Sequence, residues 1–254
     1  MPINHCKKDQ EKMNWLTDKY CESLYDKQEM GSESALAYLY DRGIGDDIIS
    51  KFKIGWNAPD RIVNDEEELS GRIIFPIISE FGDTVAYSGR IPLPKREIIG
   101  NKPHWWHQSY PKPFFSYGLH LTWPYILHDK SVFIVEGQVD VISCFRHGIK
   151  NVVGIMGSSL SEENLAKLMR YARTFNVFMD GDSSGRKSAE SIMEKITSYL
   201  GEEYVNYIPL KFGEIEYDPD EFLNKYGYDG FLKLYEKTLD KKREGKNEKN
   251  RNSI

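Results

Sequence analysis

Two short stretches of the sequence place carboxylates directly after apolar runs. In VFIVEGQVD, Glu136 ends the first run and Asp140 follows four residues later. In VFMDGDSSGRK, Asp180 ends the second run and Asp182 follows two residues later. A carboxylate at the end of a buried strand is costly to desolvate unless a hydrogen bond or a counter-charge compensates. Both stretches therefore indicate a site at which acids hold a positively charged group.

The spacing of the four acids predicts that they meet. In a parallel α/β sheet the carboxyl ends of the strands open into one crevice, so Glu136 and Asp180 are predicted to point into it. Asp182 lies on the same side of an extended chain as Asp180. Asp140 lies one helical turn after Glu136 and is brought to the same place.

Crowded carboxylates repel one another, and a hard divalent cation relieves that repulsion. Mg²⁺ prefers oxygen ligands of this kind, whereas His and Cys are absent from both stretches, which argues against zinc. The predicted chemistry is phosphoryl transfer at a metal-dependent site. The alternative is that the acids cap helices, as Asp182 before SSGRKSAE suggests. Acids at two separate strand ends make that alternative the weaker one.

The pattern after Lys130 is typical of an α/β domain. Apolar strands alternate with helices of about ten or more residues, which implies crossover connections and a mainly parallel sheet with helices on both faces. Two further helices, near 219–226 and 229–239, are predicted to close the domain. The predicted strands are 131–136, 151–155, 175–180 and 203–208, and the predicted helices between them are 138–147, 161–172 and 183–199.

The first half of the chain has a different pattern. Helical spacing over residues 11–29 and from SESALAYLYDRGI onward predicts a compact helical region. GRIIFPIISEFGDTVAYSGRI then predicts a hairpin of two strands, in which Pro76 makes the first strand an edge or bulged strand. Residues 91–128 show no clean period and are predicted to be irregular, with a short helix near 119–128.

Composition limits the class of protein. The chain has 254 residues and a net charge of −5, and its three cysteines, Cys6, Cys21 and Cys144, form no CxxC pair. This pattern argues against a disulfide framework and against a zinc ribbon. Without a run of about 18 apolar residues or an apolar signal segment, we expect a cytoplasmic protein with no membrane partner. Basic residues concentrate between Arg90 and Lys112, which allows a local nucleic-acid groove despite the acidic total.

IVEGQVDVIS together with FMDGDSSGRKSAE resembles the TOPRIM domain that DnaG-type primases, topoisomerases and certain nucleases share. The blocks YLYDRGIGDDIISKFKIGW, GRIIFPI, YSGRI and FFSYGL before it, and DPDEFL after it, resemble the RNA-polymerase core of bacterial DnaG-type primases in content and order. The resemblance covers about residues 33–226. It implies an α/β TOPRIM domain that follows a mixed helical and β-hairpin subdomain and precedes short helices.

The resemblance also implies roles for particular residues. Glu136 matches the family's acid that acts in acid/base catalysis or in metal binding, and Asp140 matches the second acid of the same motif. Asp180 and Asp182 match the metal-binding DxD pair, so the implied cofactor is Mg²⁺ or Mn²⁺. The segment NKPHWWHQSYPKPFF departs from the family's lysine block. The implied nucleic-acid or nucleotide contacts are Arg72, Arg90, Lys102 and Lys112.

The function that the resemblance implies is the synthesis of short RNA primers from ribonucleoside triphosphates on single-stranded DNA. The implied domains are an N-terminal subdomain (1–128), a TOPRIM domain (129–210), a helical segment (211–240) and a disordered basic tail (241–254). The family's zinc ribbon, which reads the template, and its helicase-binding domain have no match in the sequence. We therefore expect a separate template-reading protein or a replicative helicase as a partner, and weak initiation without one.

Two other functions remain open at this point. A TOPRIM nuclease would use the same acids to cleave phosphodiesters, and a non-catalytic nucleic-acid-binding subunit would keep the fold alone. A topoisomerase is disfavoured because it needs a tyrosine nucleophile in a separate cleavage domain. The stretch from His104 to His107 is as consistent with a base-stacking surface as with a loop that packs on the core.

Overall fold

The computed structural model describes residues 7–59, 67–93 and 102–251, and the chain divides into two compact units between Pro111 and Lys112. This division lies before the predicted boundary at residues 128 and 129. The segment after Lys112 joins the second unit because Tyr117 and Gly154 exchange two backbone hydrogen bonds, of 2.8 and 3.1 Å. The helix that follows buries Leu119 and Ile126 in the core of that unit.

The first unit combines three helices with an antiparallel sheet. The chain order of the sheet is also its spatial order, β1-β2-β3-β4, and every neighbouring pair is antiparallel. The predicted hairpin is the β2–β3 pair. The elements are α1 (Lys7–Tyr25), α2 (Ser32–Asp41), α3 (Asp46–Phe52), β1 (Gly55–Asn57), β2 (Arg72–Ile78), β3 (Thr84–Arg90) and β4 (Trp105–His107).

One face of this sheet packs against α1. Leu16 and Tyr20 of α1 form an apolar cluster with Ile74 of β2 and Tyr87 of β3, and the rings of Tyr20 and Tyr87 meet edge to face at 5.3 Å. At Gly55 a Cβ would lie 2.5 Å from the Cβ of Tyr20, so the sequence needs glycine where α1 crosses β1. The helix and the sheet thus fold as one layered unit.

Pro76 lies in a strand that has neighbours on both sides for part of its length. β1 pairs with β2 as far as Ile74, and β3 pairs with β2 from Ile73 to Ile78 with a register shift between Ile77 and Ile78. Pro76, which lacks an N–H donor, therefore lies beyond the end of β1 and next to the irregular part of the ladder. This is the bulged strand that the sequence predicted.

The second unit is a four-stranded parallel sheet with helices around it. The strand order is β6-β5-β7-β8, which confirms the predicted α/β class, and β5 and β7 are the two central strands. No helix in the described parts of the chain is long and apolar enough to cross a membrane. The elements are α4 (Leu119–Asp129), β5 (Ser131–Val135), α5 (Gln138–Arg146), β6 (Val152–Gly154), α6 (Glu162–Leu168), β7 (Thr174–Val177), α7 (Ser183–Leu200), β8 (Val205–Tyr207), β9 (Lys211–Phe212), β10 (Ile215–Glu216) and α8 (Pro219–Arg251).

Helix α8 is interrupted at Gly227, whose backbone has φ 63° and ψ −170°. The sequence predicted two helices that meet here. The helix then continues to Arg251, which differs from the prediction of a disordered tail from residue 241. Helix-forming lysines and arginines favour this extension. Lys242 stabilises this extension of α8, because its ammonium group donates to the backbone carbonyl of Glu203 at 3.0 Å and to Asn206 Oδ1 at 2.9 Å.

We expect Gly227→Ala to lower the free energy of unfolding by about 1–2 kcal/mol, because only glycine adopts this backbone conformation without strain. No other residue lies within 4 Å of the position of the added Cβ, so the effect is one of backbone strain alone. Gly245→Ala, in the helical part of α8, is the matched control and should be neutral or stabilising. Chemical denaturation measures both variants, and equal losses would contradict this explanation.

Candidate active site

Glu136 follows the last residue of β5 at the carboxyl end of the sheet. Its backbone carbonyl accepts from Met156 N at 2.9 Å, which ties the residue to the loop after β6. Partial burial and the charge of Asp182 raise the pKa of the Glu136 carboxyl. A raised pKa makes a glutamate better suited to exchange protons with a reacting group.

Asp180 lies three residues after the end of β7, the strand next to β5. Its pKa is raised to about 7, first by burial and then by the charges of Glu136, Asp218 and Asp182. The electrostatic influence of Glu136 on Asp180 supports the prediction that the ends of the two central strands bring their acids together.

Asp182 begins α7 and is exposed. Its Oδ1 accepts from Gly185 N at 2.7 Å, so the helix-capping interpretation is correct for one oxygen of this residue. A carboxylate has two oxygens, and this cap uses Oδ1. Capping and metal binding are therefore compatible roles for Asp182.

Asp140 lies in the first turn of α5. Its Oδ2 accepts from Gly137 N at 3.0 Å, which closes that turn and turns the carboxylate towards the end of β5. Burial raises the pKa of Asp140 well above its usual value, and the charges of Asp180 and Asp218 raise it further. The structure thus brings Asp140 into the same electrostatic environment as the DxD pair.

Two glycines allow the acids to lie in these positions. At Gly181 a Cβ would meet the backbone of Leu210, with the carbonyl carbon at 2.7 Å. At Gly185 a Cβ would lie 2.7 Å from the Cβ of Asp180. The backbone of Gly181 is also held, since its N–H donates to Tyr217 O at 2.8 Å and its carbonyl accepts from Arg186 Nη1. The loop that carries Asp180 and Asp182 is therefore closely packed.

Asp218 and Asp220 are acids near this site to which the sequence analysis gave no role. Both raise the pKa of Asp140, and Asp218 also raises that of Asp180. Asp218 caps the start of α8 by accepting from Glu221 N at 2.7 Å, and Asp220 accepts from Asn224 Nδ2 at 2.9 Å. The block DPDEFL carried the signal, because it places Asp218 just before α8 and Asp220 in the first turn of that helix.

The chemistry of these donors fits a hard cation. All are carboxylate oxygens, and burial together with the charges of neighbouring acids raises the pKa of Glu136, Asp140 and Asp180, a strain that a divalent ion relieves. No group of three or more Asp, Glu, His or Cys side chains within the described ranges is already arranged to hold a metal ion. Mg²⁺ commonly keeps several waters and uses one or two carboxylates, so the donors at the ends of β5 and β7 suffice.

Arg72 and Arg90, which the sequence analysis assigned to nucleic-acid contacts, lie on opposite faces of the sheet of the first unit. Arg72 is 3% exposed. Its guanidinium donates to the backbone carbonyls of Glu68 at 2.6 Å and His104 at 3.1 Å, and burial lowers its pKa. This placement disfavours Arg72 as a phosphate contact, because its donors are used to hold neighbouring backbone.

Arg90 is partly exposed at the end of β3. Its guanidinium lies over the rings of Trp105, at 5.1 Å, and Tyr38, at 5.5 Å. Lys102 and Lys112 are both exposed, the first before β4 and the second at the start of a short 3₁₀ turn. The basic residues Lys95 and Arg96, between them and Arg90, lie outside the described residues.

The stretch from His104 to His107 contains a strand, not a loop. Trp106 packs against the apolar cluster under α1, whereas Trp105 and His107 lie on the other face and stack at 5.9 Å with an interplanar angle of 7°. Trp105 also contacts Phe75 at 5.2 Å. Because side chains alternate between the two faces of a strand, Trp106 packs in the core, and Trp105 and His107 form a half-exposed aromatic pair on the opposite face.

The sequence and the fold resemble those of known proteins. Residues 133–223 match the Toprim-like family. The DNA primase of Lactococcus lactis subsp. lactis (strain IL1403) is 32% identical over 240 residues, which cover 82% of this chain. The match covers 36% of that primase, so the chain spans little more than a third of the relative's length.

Solved structures have the same fold. A DNA primase domain from Pseudomonas aeruginosa superposes with a TM-score of 0.75 at 24% identity, over 90% of this chain and 78% of that one. The DnaG primase catalytic domain bound to ssDNA gives a TM-score of 0.73 at 22% identity, over 91% of this chain and 80% of that one. The predicted TOPRIM fold and its resemblance to the DnaG catalytic core are thereby confirmed.

Proposed function

We propose that this chain, which resembles the DnaG-type primase catalytic core in sequence and fold, synthesises short RNA primers on single-stranded DNA. The observation that carries the proposal is the group of acids at the ends of β5 and β7, where burial and then the charges of Glu136 and Asp218 raise the pKa of Asp180 to about 7. Ribonucleoside triphosphates are the proposed substrates, and the cytoplasm is the proposed location. A replicative helicase or a separate template-reading protein is the proposed partner.

The acids have distinct proposed roles. Asp180 and Asp182 hold Mg²⁺ or Mn²⁺, and Asp140 and Asp218 complete the negative charge around them. When bound, the metal stabilises the charge that develops on the attacking and leaving oxygens of a phosphoryl transfer. Glu136, with its raised pKa, accepts the proton of the attacking hydroxyl.

Arg90, Lys102 and Lys112 are the proposed contacts to the nucleic-acid backbone. We expect Arg90→Ala to weaken binding to single-stranded DNA and to reduce the salt slope of the affinity by about 0.7, the loss of one phosphate contact. Arg72→Ala, by contrast, should lower the free energy of unfolding by about 2–3 kcal/mol, because buried carbonyls lose their donor.

Fluorescence anisotropy of a labelled oligonucleotide at several salt concentrations, below the melting temperature of each variant, measures the affinity and its slope. Thermal unfolding of the same samples measures stability. An unchanged slope in Arg90→Ala would remove this residue from the contact surface. A slope that falls in Arg72→Ala but not in Arg90→Ala would reverse the assignment of the two arginines.

The proposed function is tested by incubating the protein with single-stranded DNA, labelled ribonucleotides and Mg²⁺ or Mn²⁺. New short RNA supports the proposal. A shortened DNA substrate would support a nuclease, and binding without either product would support a non-catalytic subunit. A parallel reaction with a primer already paired to the template separates initiation from extension, and we expect extension to be the more efficient step.

A further inference from the structure

A recess of about 470 Å³ lies on the outer side of β8, at the edge of the parallel sheet. Helix α7 forms one wall through Met193 and Thr197, and α8 forms another through Leu234 and Thr238. Its volume lies within the range of about 300–1,000 Å³ that is typical of small-molecule sites. The apolar side chains of these two helices provide a surface on which a flat ring can pack.

Four lysines, Lys211, Lys237, Lys241 and Lys242, line this recess beside one acid, Glu202. We call it the lysine recess. Four positive charges against one negative charge favour an anionic ligand.

Two of the lysines are available to such a ligand. Lys237 and Lys241 lie four residues apart on one face of α8 and make no hydrogen bond or ion pair within the described residues. Both side chains are exposed, so their donors reach the recess without a burial cost.

The other two lysines are already held in place. Lys242 donates to the carbonyls of Glu203 and Val205 and to Asn206 Oδ1, which fixes its charge at the edge of β8. A lysine at this position also blocks the strand edge and disfavours the pairing of an extended peptide. Lys211 Nζ, on β9, lies 2.8 Å from Glu216 Oε1 on the paired strand β10.

The lysine recess is separate from the acids at the ends of β5 and β7. None of Glu136, Asp140, Asp180 and Asp182 lines it. The second unit therefore carries two sites of opposite charge, the lysine recess and the group of acids. A ligand of the recess is therefore distinguishable from the metal that the acids would hold.

We propose that the lysine recess binds the 5′-polyphosphate of a nucleotide, with Lys237 and Lys241 on the phosphates and the base against the apolar wall. The compact shape and the apolar wall favour a nucleotide over an acidic peptide strand, whose pairing with β8 the fixed Lys242 blocks. The same chemistry is offered by a free nucleoside triphosphate and by the 5′-triphosphate end of an RNA chain. The proposal does not depend on the proposed primase activity.

Binding of the fluorescent nucleotide mant-ATP, followed by anisotropy in EDTA, tests the recess without metal-dependent binding at the acids. We expect K237A/K241A to bind about tenfold more weakly than the wild type, since two charge-assisted contacts are lost. K233A is the matched control for K237A, because Lys233 is exposed one turn earlier on α8 and does not line the recess. T238W fills the recess at unchanged charge and should also weaken binding.

A second set of ligands identifies the source of the phosphate. A short RNA with a 5′-triphosphate that competes more strongly than the same RNA with a 5′-hydroxyl indicates the RNA end, and stronger competition by ATP indicates the free nucleotide. An acidic peptide that competes equally well would overturn the proposal, because the recess would then recognise charge alone. Equal affinities for the wild type, K237A/K241A and T238W would also overturn it.

Discussion

We expect Asp180→Asn to abolish the proposed primer synthesis and to leave the protein at least as stable as the wild type at pH 8 in EDTA. Both effects have one cause, the crowding of carboxylates at the ends of β5 and β7. The variant would lose a proposed anionic metal donor, so the proposed metal-dependent reaction should stop. It also loses a charge whose ionisation is opposed by burial and by the neighbouring Glu136 and Asp218.

The pH dependence of stability follows from the same carboxyl. Its pKa is raised to about 7 in the folded protein from an ordinary value of 3.8, so between these two pH values the folded state holds a proton that the unfolded state has released. Without divalent metal, the stability that this carboxyl contributes is therefore fully present below about pH 4 and is lost as the pH rises through about 7. After a discount for partial exposure and for coupling to the other acids, the loss is on the order of 2 kcal/mol.

Differential scanning fluorimetry between pH 5 and pH 8 in EDTA, followed by titration with Mg²⁺, measures these effects. Wild-type protein should lose melting temperature as the pH rises, and Mg²⁺ should restore it most at pH 8. In Asp180→Asn, the fall of melting temperature with rising pH and its recovery with Mg²⁺ should both be smaller than in the wild type. Glu194→Gln, which neutralises an exposed acid of α7, is the matched control and should behave as the wild type. Full primer synthesis by Asp180→Asn would remove this residue from the metal site.

Gly181→Ala should damage both the fold and the activity. A Cβ at this position lies 2.7 Å from the carbonyl carbon of Leu210. The loop cannot easily shift to make room, because the hydrogen bond from Gly181 N to Tyr217 O holds its backbone. Overpacking of this kind costs about 2–3 kcal/mol of stability. The strain displaces Asp180 and Asp182 on either side, and a displacement of about 1 Å costs catalysis about a hundredfold.

Gly157→Ala is the matched control, since a Cβ there meets no atom within 4 Å. Urea unfolding gives the change in stability of both variants. Primer synthesis well below the melting temperature separates misplaced acids from loss of folded protein. A Gly181→Ala variant that is less stable but fully active when folded would show that the DxD loop tolerates the displacement.

The parallel sheet and the acids at its edge were predictable from the sequence, because each depends on a local pattern. Strand periodicity, helix spacing and the acids after each strand gave β5, β7 and the positions of Glu136 and Asp180. The role of Arg72 was not predictable in this way. An arginine at the start of a strand has the same local sequence whether it faces solvent or, as here, donates to buried carbonyls of Glu68 and His104.

Contacts between segments that are distant in the sequence account for the other differences. The helical tail after residue 241 depends on the bonds of Lys242 to the edge of β8, which no local pattern reveals. Asp218 and Asp220 join the acids because their loop returns to the sheet. The spacing of residues along the sequence does not show which strand a distant segment packs against, so it did not place these two acids at the site.

The strand order β6-β5-β7-β8 has a consequence for how the protein is made. β5 is synthesised before β6, yet the acid after β5 meets its counterpart only when β7 has paired on the other side. Closing a chain segment of this length has an entropic cost that pairing must offset, so the acids come together late in folding. On the ribosome, a growing chain therefore carries β5 and β6 before β7 is made, and at that stage its acids do not yet repel one another. Charge repulsion at the acids should consequently speed unfolding more than it slows folding.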